Sequence, residues 1–277
     1  MNIRIWGCRG SLPAPGPEKN IYGGNTSCVQ IIYENTCIIL DGGSGILRLG
    51  ESLPKNIERI DILLTHLHLD HIIGLGFFTP IYNPKMTVNI WGPSASHESL
   101  RNRLRKYFSP PIFPMRLKEL PCMGDVFEIN DTTFSIGDFK IRSEYICHPG
   151  PTVGYRIQLG DTVIAYMPDH EPVLGSCDFP NNPEWTSGYN IAFGADLLFH
   201  DAQYKNDAYE DRIGWGHSAM KDAIDFGVLT EVKKLVLFHH DPAHSDHQLE
   251  HLFHNSMKDR NLNLEIELAK EGQSYMF

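Results

Sequence analysis

The segment Thr65-His66-Leu67-His68-Leu69-Asp70-His71 constrains this chain more than any other, because it sets imidazole and carboxylate groups directly behind the apolar run Ile60-Asp61-Ile62-Leu63-Leu64. That run reads as a strand. In an extended segment residues two apart project the same way, so His66 and His68 can converge on one metal ion. Asp70 and His71 fall where the chain turns into a helix, Asp70 suiting the helix start, and both are free to face a second ion. Mixed imidazole and carboxylate ligation suits Zn, Mn or Fe. The competing reading is an accidental solvated turn rich in histidine.

A metal site needs ligands from elsewhere in the chain, and three other predicted strands end in suitable groups. Lys140–Cys147 ends at His148-Pro149-Gly150, Thr162–Met167 at Pro168-Asp169, and Lys233–Phe238 at His239-His240-Asp241. Any one of them alone reads as a cap or a solvent-facing group. Their shared position matters, because open α/β architectures gather functional groups at strand ends.

Further strands are predicted at Asn2–Trp6, Cys28–Tyr33, Cys37–Leu40, Thr87–Trp91, Val153–Leu159 and Asp196–Phe199, and helices at Gly45–Ser52, Asp70–Leu75, Ser94–Phe108, His217–Val228 and Ser245–Lys258. Strands and helices interleave through both halves, which predicts an α/β fold with helices outside sizeable sheets. Two stretches read as irregular: Phe108–Pro114, as a lid or as plain packing, and Glu171–Tyr189, as plain connection.

With 24 Lys+Arg against 34 Asp+Glu among 277 residues, the formal charge is −10. That balance disfavours gripping a long polyanion, whose binding draws on Lys and Arg neutralising phosphates. Charges interrupt the opening residues, and no run reaches the ~18 apolar residues of a membrane span. The expectation is a cytoplasmic protein without a membrane partner. Its scattered cysteines (8, 28, 37, 122, 147 and 177) are expected to be reduced.

At this point the chain resembles the metallo-β-lactamase fold superfamily, and within it the phosphodiesterase branch of tRNA 3′-processing ribonucleases and bacterial cyclic nucleotide phosphodiesterases. The resemblance is anchored by His66-x-His68-x-Asp70-His71, then His148, Asp169 and His239 in order. The Gly7–Gly10 turn, Gly23-Gly24-Asn25-Thr26-Ser27 and Asp41-Gly42-Gly43 also look like family turns. It implies one domain over 1–277, an αβ/βα four-layer sandwich of two facing mixed sheets with outer helices and a dinuclear metal centre at one edge. Carried over by position, His66, His68 and His148 hold the first ion, Asp70, His71 and His239 the second, and Asp169 bridges them. His239 is preferred to His240 because Leu235-Val236-Leu237-Phe238-His239 resembles the family's last strand and ligand. The implied cofactors are two divalent ions, Zn foremost with Mn or Fe as alternatives. They would share a water, lower its pKa and so supply a hydroxide nucleophile that Asp70 orients.

The segment Ile213-Gly214-Trp215-Gly216-His217-Ser218-Ala219 resembles one that places a histidine beside the scissile phosphate in that branch. His217 is therefore the expected proton donor, or a phosphate-stabilising imidazolium, at a helix start, with Asp201 as its orienting partner. As structure alone it is a helix cap. His247, His251 and His254 share a helix face and read as solvated, opposite Leu249, Leu252 and Phe253. His170 adjoins Asp169 and is read as a substrate contact rather than a ligand. The basic run Arg101-Asn102-Arg103-Leu104-Arg105-Lys106 reads as a solvated face or as a phosphate contact near Phe108–Pro114.

The expected substrate is a small phosphodiester: a 3′,5′-cyclic nucleotide first, a 2′,3′-cyclic phosphate behind it. The alternatives are tRNA 3′-end processing, then thioester or β-lactam hydrolysis, then a non-catalytic metal-containing sensor. No long nucleic acid partner is favoured, and the resemblance admits a homodimer.

Overall fold

Strands whose alternate residues are apolar on both faces must be covered on both sides, and this chain solves the requirement with two stacked sheets. The computed structural model describes residues 1–174, 179, 182–206 and 208–277, so Cys177 and Pro180 lie outside the described residues. The first sheet contains β1 (Asn2–Gly7), β2 (Cys28–Tyr33), β3 (Thr36–Leu40), β4 (Arg59–Leu63), β5 (Thr87–Pro93) and β6 (Met123–Ile129). The second contains β7 (Thr132–Ile136), β8 (Phe139–Tyr145), β9 (Val153–Leu159), β10 (Thr162–Met167), β11 (Leu197–Asp201), β12 (Lys234–Phe238) and β13 (Glu265–Leu268). The last strand, β14 (Ser274–Met276), returns to the first sheet beside β1. The α-helices are α1 (Ile46–Glu51), α2 (Leu69–Ile72), α3 (Leu100–Tyr107), α4 (Tyr189–Ala192), α5 (Met220–Leu229) and α6 (Asp246–Met257).

Period-two alternation sorts the layers. In β3, Ile38 and Leu40 enter the core between the sheets, where they join Phe139, Tyr155, Tyr166 and Phe199. Their neighbours Cys37 and Ile39 face outward, in the cluster that holds Ile46 of α1 and Leu100 and Leu104 of α3. The second sheet repeats the pattern: Val236 and Phe238 of β12 point inward, while Leu235 and Leu237 join Ala223, Ile224 and Leu249 of α5 and α6. The result is helices, sheet, sheet, helices, the four-layer sandwich that the family resemblance implied.

Each sheet is mixed. β3 to β6 pair in parallel, as do β10 to β13, and the remaining pairs are antiparallel. The carboxyl ends of β3, β4, β10, β11 and β12 deliver Asp41, Thr65–His71, Asp169, Asp201 and His239.

Three helices differ from expectation by more than one residue at an end. α3 starts at Leu100 rather than Ser94, because β5 runs on to Pro93 and Ser99 caps the helix by accepting from Asn102 N. The helix expected over Asp70–Leu75 is the single turn α2 followed by a 3-10 turn at Leu75–Phe77. α5 starts at Met220, so His217 precedes the helix rather than opening it. No described helix is long and apolar enough to cross a membrane.

Candidate metal centre

Beyond β4 the chain stays extended to His68 (φ −64°, ψ 153°), then turns into α2, which carries Asp70 and His71 in its first turn. His66 and His68 thus project toward one point and Asp70 and His71 toward another. The side chains of His66, His68, His148 and Asp169 form one group of mutually close ligand atoms, and Asp70, His71, Asp169 and His239 form a second. His148 Nε2 lies 3.1 Å from His68 Nδ1. Oδ2 of Asp169 is 3.7 Å from His66 Nε2 and 3.8 Å from His148 Nε2, whereas its Oδ1 is 2.9 Å from His71 Nε2 and 3.2 Å from His239 Nε2. One carboxylate therefore faces both groups, an oxygen to each. All seven residues expected as ligands meet here.

The far ring nitrogens show how these imidazoles are held. His148 Nδ1 lies 2.8 Å from the Gly216 carbonyl, and His239 Nδ1 lies 3.1 Å from the Gln203 amide oxygen. Oxygens of those types only accept, so Nδ1 donates and the ring is held with Nε2 turned inward. His66 Nδ1 lies 3.0 Å from the Thr65 hydroxyl, which itself donates to Asp41, and His71 Nδ1 lies 2.8 Å from Asp41 Oδ2. Asp41 also accepts from Thr65 N and the Tyr166 hydroxyl. An outer oxygen that fixes the tautomer of an inward imidazole is the usual support of a metal-ligating histidine. In the sequence Asp41 reads only as part of a turn, and nothing there marks Gln203.

The inward atoms fit a cation. His66 Nε2 is buried without a hydrogen bond, and His71 Nε2 and Asp169 Oδ1 meet only ion contacts of 2.9 to 3.2 Å. Asp41, Asp70 and Asp169 bring three carboxylates into one closed region. Burial keeps His66 neutral, well below its usual range, and draws His148 down to about 4. At Asp169 burial acts the other way but is outweighed by the facing imidazoles, His239 first and then His71, which hold the carboxyl well below its usual range. At Asp70 burial is likewise overcome, chiefly by His71 and His239. His71 is raised well above its usual value, because Asp169, Asp70 and Asp41 outweigh its burial. That proton is the positive charge the carboxylates demand, and a divalent ion answers the same demand.

His239 adopts left-handed backbone (φ 58°), as does Asp41 (φ 58°), conformations that cost a non-glycine residue energy. The turn aims the His239 ring at Asp70, with Nε2 3.1 Å from Oδ2. A Cβ on Gly10 would lie 2.4 Å from His239 Nδ1, so only glycine lets the first turn of the chain approach this ring. His240 points elsewhere and donates to the Ala269 carbonyl at 2.9 Å.

His217 sits against the second group, stacked on His239 with ring centroids 5.0 Å apart. Its Nδ1 is 2.6 Å from Asp201 Oδ2. Burial would lower its pKa, but Asp201, then Asp169 and Asp70, raise it to about 9. Asp201 thus partners His217 as the sequence suggested, while the helix-start setting does not hold. His170 is also placed differently from expectation: it is fully buried, bonded to His200 (2.9 Å) and packed on Phe226, so it presents nothing to a substrate. His247, His251 and His254 are exposed on α6, and His97 is exposed too.

A cleft of about 410 Å³ opens on the first group. His66 and His68 form one wall, Leu67, Leu69, Ile72 and Pro149–Pro151 supply apolar surface, and Arg103, Lys106, Tyr107 and Ile112 line it as well. The stretch Phe108–Pro114 does two things: Phe113 is buried against Tyr107 and Phe108, and Ile112 stands exposed in the cleft.

The model of the Beta-lactamase superfamily domain matches residues 37–240. Ribonuclease Z of Thermococcus gammatolerans is 26% identical over 256 residues, covering 78% of each chain. Among solved structures, the metallo-beta-lactamase fold protein YhfI from Bacillus subtilis superposes with a TM-score of 0.72 at 18% identity, covering 99% of this chain and 98% of the other. The short form of human tRNase Z superposes with a TM-score of 0.65 at 21% identity, covering 100% and 99%. These two structures share the fold.

Proposed function

The chain belongs to the Beta-lactamase superfamily domain family, and from that premise we propose that it is a metal-dependent phosphodiesterase. The observation that carries the reading is Asp169, one buried carboxylate whose two oxygens face two separate sets of imidazoles. In this reading His66, His68 and His148 hold one divalent ion, Asp70, His71 and His239 the other, and Asp169 both. Five imidazoles among seven ligands suit zinc foremost, with Mn and Fe also compatible. Such ions, when bound, lower the pKa of a coordinated water toward neutrality and offset charge on a phosphoryl group.

The chain's own groups supply the rest. Asp70 Oδ2 accepts from Ser11 N at 2.7 Å, which holds the carboxylate in place as ligand and as acceptor for the attacking water's proton. His217, charged at neutral pH and 87% buried in its side chain, donates a proton to the leaving oxygen or stabilises the phosphate as a cation. Asp201 keeps that ring oriented and protonated.

Two substrate classes have support. Relatives named Ribonuclease Z favour an RNA 3′ end, such as that of a tRNA precursor. The formal charge of −10 and a cleft of about 410 Å³ favour a small phosphodiester such as a cyclic nucleotide. The relatives' names support the RNA ahead of the cyclic nucleotide, against the order drawn from charge. A panel of an aryl phosphodiester, a thioester, cyclic mononucleotides and a tRNA precursor tests this with zinc-loaded protein. Phosphodiester turnover is expected, and thioester turnover without it would overturn the proposal.

A further inference from the structure

Glu171 lies two residues beyond Asp169, in a stretch whose sequence reads as plain connection, yet the residue is only 1% exposed. Four contacts converge on it. Gly214 N reaches Oε1 and Oε2 at 3.0 and 3.1 Å, Gly216 N reaches Oε2 at 2.9 Å, and the Tyr209 hydroxyl reaches Oε1 at 2.7 Å. These donors belong to the loop that leads into His217. Gly214 and Gly216 both have left-handed backbone (φ 82° and 83°), which turns their N–H groups toward one acceptor.

The same loop touches the first ligand group. The Gly216 carbonyl accepts from His148 Nδ1 at 2.8 Å, and a Cβ on Gly216 would lie 2.3 Å from that nitrogen. Glu171 N donates to the Cys147 carbonyl at 3.0 Å, immediately before His148. One side chain therefore joins three site elements: Asp169 along the chain, His148 through the Gly216 carbonyl, and His217 through the loop.

We propose that Glu171 is a positioning residue, a buried carboxylate that folds the 214–216 loop so that its carbonyl fixes the His148 tautomer and its next residue sets the place of His217. The inference rests on the metal-dependent reading above for its catalytic consequence. Its structural consequence, the strength of the first ion site, does not depend on which reaction is catalysed. A carboxylate suits the position because backbone N–H bonds to an anion are roughly twice as strong as neutral ones. An amide would turn its NH₂ toward one of the N–H donors.

The test is Glu171→Gln in the full chain, read by zinc retention against a chelator, by the NMR signal of the His148 Nδ1 proton, and by kinetics on an aryl phosphodiester. Loss of such an outer-shell partner typically costs about 10–100-fold in metal affinity or activity. We expect weaker zinc at one site within that range, an exchange-broadened His148 signal, and a kcat reduced more than KM. Tyr209→Phe, which keeps the backbone donors, should stay within about threefold of wild type in zinc retention. Should Glu171→Gln fail to fold, Glu171→Asp keeps the charge but withdraws the oxygens, and the same loss in zinc retention is expected. Wild-type zinc affinity and an unchanged His148 signal in a folded Glu171 variant would overturn the proposal, whatever the kinetics. Lost turnover against every phosphodiester in wild-type protein would instead count against the function alone.

Discussion

Nδ1 of His217 lies 2.6 Å from Oδ2 of Asp201, which is itself fully buried and accepts Gln203 N and Ser218 N at 3.0 Å through its other oxygen. The pair is thus fixed from the protein side, with the far edge of the imidazole left to act. His217→Ala should keep its metal content while kcat falls about 10²–10⁴-fold, the usual cost of a lost acid or base. Turnover within a few-fold of wild type would remove His217 from the chemistry.

The same pair makes stability pH-dependent. The folded-state pKa of His217 is raised to about 9, above an unfolded value near 6.5, so the pair's stabilisation is fully present below pH 6.5 and is lost as pH rises through 9. In chelator-treated protein, the denaturant midpoint of His217→Gln should fall below wild type at pH 6, and the gap should close by pH 10. A constant gap across that range would contradict the assigned charge.

Thr65 passes the Asp41 carboxylate on to His66 through one hydroxyl, with contacts of 3.0 to 3.1 Å on either side. Thr65→Val keeps the shape and removes that hydroxyl. Zinc affinity at the first site should fall about 10–100-fold by chelator competition, with the fold retained. Unchanged affinity would mean that His66 needs no outer partner.

Arg103 lines the cleft, and its Nε is buried without a hydrogen bond while another guanidinium nitrogen donates to the Pro93 carbonyl. An anionic or acceptor-rich substrate would engage it. Arg103→Met should raise KM by about tenfold, the worth of one charge-assisted bond, with kcat nearly unchanged. An effect on kcat alone would place Arg103 outside substrate binding.

The strands that the sequence reveals are the inner ones of each sheet, most of them buried on both faces, with β8 marked instead by its alternation of buried and exposed residues. The four that escape it, β6, β7, β13 and β14, are the two edges of each sheet. Edge strands carry polar, half-exposed residues, as in Glu265-Ile266-Glu267-Leu268 or the alternately exposed Thr132–Ile136, and so lack the apolar run that marks a central strand. The ligands were legible because each terminates a strong strand or follows a two-residue spacing. Asp41, Gln203 and Glu171 are not, because their roles arise from partners 24 to 45 residues away, which no local pattern records. Glu171 stands two residues from Asp169, and an acid so near a candidate ligand is the one clue the sequence carries.

Asp169, with an oxygen turned to each ligand group, is the residue through which two ion sites would be joined. Metal analysis of wild type and Asp169→Ala after dialysis against zinc tests it most directly. About two zinc ions per wild-type chain are expected, one for each ligand group, with loss from both sites in the variant. Wild-type protein that retains no zinc, or an Asp169→Ala protein that retains two ions with wild-type affinity, would contradict it.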